Sequence, residues 1–175
     1  MKTLVVYSSK TGNTKMIAEA IYECLPKPKE IHPVQHAPSP GGYDFIAVGG
    51  WVDKGMPDSA AAEYMRTIQG KNVGIFLTLG AYPDSPHAHE SMGKAKELLA
   101  GNTLIAEFIC QGKVAPDLIQ WMQRLAQENP EHQHGMNSER KARLAEAAKH
   151  PDQQDCRNAK HAFARAVKQL IAKTQ

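Results

Sequence analysis

Residues 3–14, Thr3-Leu4-Val5-Val6-Tyr7-Ser8-Ser9-Lys10-Thr11-Gly12-Asn13-Thr14, change character halfway along. Thr3–Tyr7 is rich in β-branched and aromatic residues, the pattern of a short buried strand. Ser8–Thr14 is polar, with four hydroxyls and one glycine. From Lys15 to Leu25, the residues Met16, Ile17, Ala20, Ile21, Cys24 and Leu25 recur at helical spacing, and Pro26 and Pro28 stop the helix. A buried strand thus runs through a polar loop into a helix start. The first amides of a helix have no partner within it, and its dipole is positive there, so such a turn holds an anion. Hydroxyls of Ser9, Thr11 and Thr14 complete a cage for a phosphate, and Gly12 admits a backbone conformation that a side chain would resist. The same residues also describe a polar turn before a capped helix, with Thr11 or Asn13 as the N-cap.

Two other phosphate loops are excluded. A P-loop needs G-x-x-x-x-G-K-[ST] and a dinucleotide fingerprint needs G-x-G-x-x-G, whereas this loop has one glycine followed by Asn-Thr-Lys. Lys10 is the loop's only cation, so the cage relies mainly on neutral donors.

Outward from this unit, strand and helix patterns alternate. Glu30–Val34 is a weak strand broken by Pro33, which suits a sheet edge. Tyr43–Gly50 and Lys71–Gly80 read as buried strands ending in glycine, and Thr103–Cys110 as a fifth strand. Helices are predicted over Ser59–Ile68, Pro86–Ala100 and residues 115–128, with Trp121 and Met122 packing the last of these on the sheet. Residues 129–136 read as a loop, followed by helices at Ser138–Lys149 and Asp152–Lys173. Strands alternating with helices imply an α/β fold: a three-layer, doubly wound, five-stranded parallel sheet with extra C-terminal helices. Ligands in such sheets bind beyond the carboxyl ends of the strands, here the loops 8–14, 50–58 and 79–86.

A chain of 175 residues fits one domain, with a core over 1–128 and a helical extension over 137–175. The longest apolar runs are strand-sized, so no transmembrane segment is expected, and the start lacks the apolar stretch of a signal peptide, which reads as cytoplasmic. The net charge of +3 is uneven. Residues 1–136 carry 12 Lys and Arg against 14 Asp and Glu, whereas residues 137–175 carry 9 against 4. The basic tail has no base-reading motif, which argues against nucleic acid. Its apolar positions suit packing on a surface, with Arg140 and Arg143 turned outward to dock an acidic redox partner or simply to be solvated. Cys24, Cys110 and Cys156 lie far apart with no CxxC, and Cys24 and Cys110 read as buried thiols. His87 and His89 are two apart and do not share a helix face, so no metal site is expected there.

Ser9-Lys10-Thr11-Gly12-Asn13-Thr14 after Val-Val-Tyr resembles the [TS]-x-T-G-x-T phosphate loop of the flavodoxin family. The resemblance spans residues 1–128 and implies the strand order 2-1-3-4-5, with FMN at the switch point and its phosphate on this loop. It further implies that the two other loops enclose the flavin ring: Gly50, Trp51 and Val52 after the third strand, and Thr78, Leu79, Gly80, Ala81 and Tyr82 after the fourth. A Trp at a strand's carboxyl end is placed to stack on a flat ring or to cover its own loop, and Tyr82 has the same two readings. The third loop departs from the family's G-D-x-x-Y pattern, because Asp84 follows Tyr82, and the chain lacks the acidity usual in flavodoxins.

The resemblance implies an electron carrier that passes electrons to a partner reductase, with no catalytic acid, base or nucleophile of its own. Thr78–Ser91, Cys110–Lys113 and the tail are similar to a subgroup found with a tetrapyrrole reductase that acts on bilirubin. The alternative is a flavoenzyme on the same fold, such as a quinone reductase or a menaquinone-linked protoporphyrinogen oxidase, with the extra helices as a substrate wall.

Overall fold

The computed structural model describes residues 1–128 and 137–174, so the loop expected at 129–136 lies outside the described residues. The chain order is β1 (Thr3–Tyr7), α1 (Asn13–Cys24), β2 (Lys29–Pro33), β3 (Phe45–Asp53), β4 (Met56–Pro57), α2 (Ser59–Thr67), β5 (Asn72–Leu79), α3 (Pro86–Leu98), β6 (Thr103–Gln111), α4 (Pro116–Glu128), α5 (Ser138–Ala147) and α6 (Gln153–Thr174). Five strands pair in parallel in the order β2-β1-β3-β5-β6, and the two-residue β4 pairs antiparallel with the end of β3. With β4 set aside, this is the expected order 2-1-3-4-5. β2 forms one edge, as Pro33 suggested.

The sixth strand is a difference from the sequence reading. β3 does not stop at Gly50 but continues through Trp51 and Val52 to Asp53 and turns back onto Met56 and Pro57. Lys54 and Gly55 form the turn with φ of 49° and 78°. Two successive positive φ values match the twist of a tight hairpin, which explains why the strand can continue beyond its parallel partners.

The sheet buries both faces. On one, Leu4, Val6, Ile46, Val48, Ile75 and Leu77 pack against Met65 of α2 and Met92 and Ala95 of α3. On the other, Val5, Phe45, Ala47 and Phe76 pack against Ile17 and Ile21 of α1 and Ala159, Phe163 and Val167 of α6. The Phe163 ring meets Phe45 and Phe76 edge-on at 6.3 and 6.2 Å. Gly74 leaves the space for it, since a Cβ there would lie 2.4 Å from the Phe163 ring.

Thus α6, not α4, supplies the final cover of the sheet. The expectation that Trp121 and Met122 pack α4 on the sheet is overturned: no residue of α4 is buried, and Trp121 is 50% exposed. α6 takes the position beside α1, with Ala159, Phe163 and Val167 in the shared core. Among the described residues, no helix is long and apolar enough to cross a membrane.

Candidate functional site

The first loop closes on itself before α1 begins. Gly12 sits at the helix start with φ 91° and ψ −14°, a left-handed conformation that needs glycine. Ser9 Oγ accepts from the Gly12 amide at 3.2 Å and the Lys15 amide at 3.3 Å, so a serine three residues upstream does the work expected of Thr11 or Asn13 as a cap. The loop is tied on both sides. Asn13 Nδ2 donates to the Lys113 carbonyl beyond β6 at 2.9 Å, and the buried Thr14 hydroxyl lies 2.8 Å from that of Thr78 at the end of β5.

One buried carboxylate organises the second region. Asp58 accepts from the Ser8 hydroxyl at 2.7 Å, the Trp51 amide at 3.3 Å and the Ala61 amide at 3.3 Å. It therefore caps α2 and fixes the Trp51 backbone relative to the first loop. Trp51 is partly buried, with Lys10 Nζ 5.9 Å from its ring centre. The Lys10 ammonium also pairs with Asp117 in the first turn of α4 at 3.0 Å and holds that carboxyl below its usual range. This exposed pair joins the first loop to α4.

These elements surround one cleft of about 960 Å³ at the carboxyl end of the sheet. Of the residues expected at the site, Lys10, Thr11 and Asn13 line it from the first loop, and Trp51 and Val52 from the end of β3. Thr78, Leu79, Gly80, Ala81 and Tyr82 line it from β5 and its loop, with Tyr82 exposed at the mouth. Ser9, Gly12 and Thr14 shape the first loop from behind rather than lining the cleft. Gly50 is buried in β3, where a Cβ would stand 2.5 Å from Asp58 Oδ2 and 2.7 Å from Ala61 Cβ. Its small size serves that packing.

The sequence reading missed the opposite wall. Val114 ahead of α4 and Leu118, Trp121 and Met122 of α4 line the cleft, with Arg143 and Leu144 from α5. Arg140 and Arg143, expected to point outward, are both partly buried, and Arg143 Nε is buried with no hydrogen-bond partner among the described residues. The sequence signal was available: α4 starts only five residues after β6, at the edge of the sheet that carries the three loops.

The remaining groups have other roles. Cys110 is buried in the core, and that burial pushes its thiol well up. Cys24 is only partly buried. His87 lines the cleft. His150, Asp152 and Asp155 bring their ligand atoms within 4.8 Å of one another. They are joined as a cap for α6: the Asp155 amide donates to Asp152 Oδ1 at 2.8 Å, while Asp155 Oδ2 accepts from the Asp152 amide at 2.9 Å and pairs with His150 Nδ1 at 2.6 Å.

A family model described as a flavodoxin domain matches residues 4–164. A flavodoxin-like domain-containing protein BilS of Clostridioides difficile (strain CD3) is 32% identical over 163 residues, spanning 89% of this chain and 90% of that protein. Among solved structures, a flavodoxin from the domain Archaea is similar with a TM-score of 0.58 and 18% identity, over 97% of this chain and 98% of its own. Oxidised flavodoxin 2 from Bacillus cereus gives a TM-score of 0.57 and 19% identity, over 94% of this chain and 99% of its own. The two structures support the fold.

Proposed function

This chain belongs to the flavodoxin domain family, and we propose that it is an FMN-bound electron carrier serving a partner reductase. The observation that carries the reading is the meeting, in one cleft, of the loop at the start of α1 with two aromatic residues, Trp51 at the end of β3 and Tyr82 after β5. The residues present fit FMN. The first loop turns through a left-handed Gly12 whose Cβ position has nothing within 4 Å. Its amides at the start of α1 suit a terminal phosphate, with Thr11 and Lys10 beside them on the cleft side. Trp51 and Tyr82 offer faces for the flavin ring, and the backbone from Thr78 to Ala81 offers donors and acceptors for its polar edge.

When bound, FMN supplies the redox chemistry. The chain's own part is to hold and orient it. Asp58 fixes the backbone of Trp51 relative to Ser8, so the aromatic wall and the phosphate loop keep one spacing. The Thr14–Thr78 hydroxyl contact locks the first loop to the end of β5 in the same way. No acid, base or nucleophile is asked to act on a substrate. The finer reading, that the partner reduces a tetrapyrrole, extends the subgroup resemblance in the sequence and is supported by the similarity to the BilS protein.

The test is a titration of flavin-free protein with FMN and with riboflavin. FMN is expected to bind far more tightly, because riboflavin leaves the loop's donors without their anion. Equal affinities overturn the cofactor reading. Rapid steady-state turnover of the FMN-loaded protein with a nicotinamide donor and a soluble neutral quinone, with no partner protein, overturns the carrier reading in favour of a flavoenzyme.

A further inference from the structure

The cleft is lined by two units with different chemistry. The sheet-end loops are polar, glycine-bearing and aromatic, as a flavin phosphate ester requires. The wall from α4 and α5 is mostly apolar, with Leu118, Trp121, Met122 and Leu144 beside Glu139 and Arg143. At about 960 Å³ the cleft lies at the upper end of the range of roughly 300–1,000 Å³ typical of ligand pockets. It is roomy for a single ligand seated on the loops.

The helical wall is also incomplete without a ligand. α4 is amphipathic, yet none of its residues is buried, and Leu118 and Trp121 are 42% and 50% exposed where they line the cleft. Apolar surface held open in a concave site is a binding surface in want of an occupant. The charged residues on this side are Glu139 and Arg143 of α5, with Lys113 from the segment ahead of α4. Arg143 lines the cleft, and its Nε has no acceptor among the described residues.

We propose that the wall formed by α4 and α5 is a second binding compartment in the cleft, beside the flavin loops, for a flat aromatic acid. Trp121 and Leu118 take the aromatic body, and the Arg143 guanidinium takes the acidic group. The guanidinium's fork geometry suits a carboxylate or sulfonate. The proposal rests on the reading that FMN occupies the loops.

The test uses naphthalene-2-sulfonate as the probe and neutral 2-naphthalenemethanol as its uncharged counterpart. Both are titrated by equilibrium dialysis against the full chain, with and without saturating FMN. Flavin occupancy is read separately from flavin absorbance. Naphthalene-2-sulfonate is expected to bind one-to-one to the FMN-loaded protein. Arg143→Gln is expected to weaken the sulfonate about tenfold, the loss of one charge-assisted contact, and leave the neutral probe unchanged. Arg143→Lys is expected to restore much of the loss, and Trp121→Ala to weaken both probes. Both positions lie outside the core, so these variants are expected to fold. Three results overturn the proposal: absence of probe binding to either form, displacement of the sulfonate by FMN, or equal affinity of the sulfonate for Arg143→Gln and the parent chain. Failure of FMN to bind would appear in the flavin absorbance alone. It refutes the cofactor reading, while the Arg143 comparison on the flavin-free chain still decides the compartment.

Discussion

α4 and α6 are both amphipathic helices that follow the last strand, and they spend their apolar faces differently. α6 buries Ala159, Phe163, Ala166 and Val167 against α1 and the sheet. α4 buries nothing and turns Leu118, Trp121 and Met122 to the cleft. The contrast separates two uses of one pattern. A helix that completes a core is closed off by neighbours on every side of its stripe. A helix that walls a site leaves its stripe open, and its apolar residues contribute to binding and little to stability. The 3.6-residue period reports that an apolar face exists, and only the position of the helix relative to the sheet decides what it meets.

The largest effect expected from this contrast is at Phe163. Removing its ring leaves a cavity between Phe45 and Phe76, at a cost of about 3–5 kcal/mol. Trp121→Ala, a deletion of similar size, is expected to change the stability of the flavin-free protein by no more than about 0.5 kcal/mol, as at other exposed positions. Urea unfolding of the two variants side by side checks this. Comparable losses would mean that α4 belongs to the core after all.

Asp58 sharpens the comparison from the other side, as a residue that is buried yet serves the cleft. Asp58→Ala removes the cap of α2 and strands the Ser8 hydroxyl, with an expected loss of about 1.5–3 kcal/mol. Because the Trp51 amide loses its anchor too, FMN affinity is expected to fall. Unfolding and flavin titration on the same variant would show both losses, and an unchanged affinity would mean that β3 holds Trp51 without Asp58. Gly12→Ala comes next. Its Cβ meets no neighbour, so the penalty is the left-handed backbone alone, about 1–2 kcal/mol in unfolding. The same strain displaces the loop, and FMN binding is expected to weaken with it.

The fold was legible because its signals are local and repeated. Apolar strand segments alternate with helices along most of the chain, and the Ser8–Thr14 loop joins a buried strand directly to a helix start. The first loop and the ends of β3 and β5 were therefore placed correctly at one end of the sheet. What stayed hidden depends on distant partners. Ser9 as the acceptor for the helix amides, and Thr14 turned toward Thr78, are choices made in three dimensions among equivalent hydroxyls. The extension of β3 past Gly50 required reading Lys54-Gly55 as a hairpin turn. The role of α4 was misread because Trp121 and Met122 are the residue types that also build cores.

The smallest effect is expected where the two helical regions meet, at His150. This residue lies between α5 and α6, and its carbonyl accepts from the Lys113 amide at 3.0 Å, which ties the junction to the end of β6. Its ring pairs with Asp155 at 2.6 Å and with Glu146 at 3.6 Å. The hydrogen bond to Asp155 raises its pKa above the ordinary value of about 6.5, against the opposing pull of burial. A raised pKa in the folded state means that the folded protein holds this proton more tightly than the unfolded chain does. The contribution is therefore fully present below about pH 6.5 and is lost as pH rises through the folded value. Substitution by Gln removes it at all pH values. The expected result is a gap in urea midpoint between the parent chain and His150→Gln that is largest near pH 6 and narrows by pH 8.5. The gap is expected to be small beside that of Phe163, because the ring is partly exposed and water screens the pair. A gap of constant size across this range would show that His150 stabilises the junction by packing and its neutral hydrogen bond, with no share from its charge.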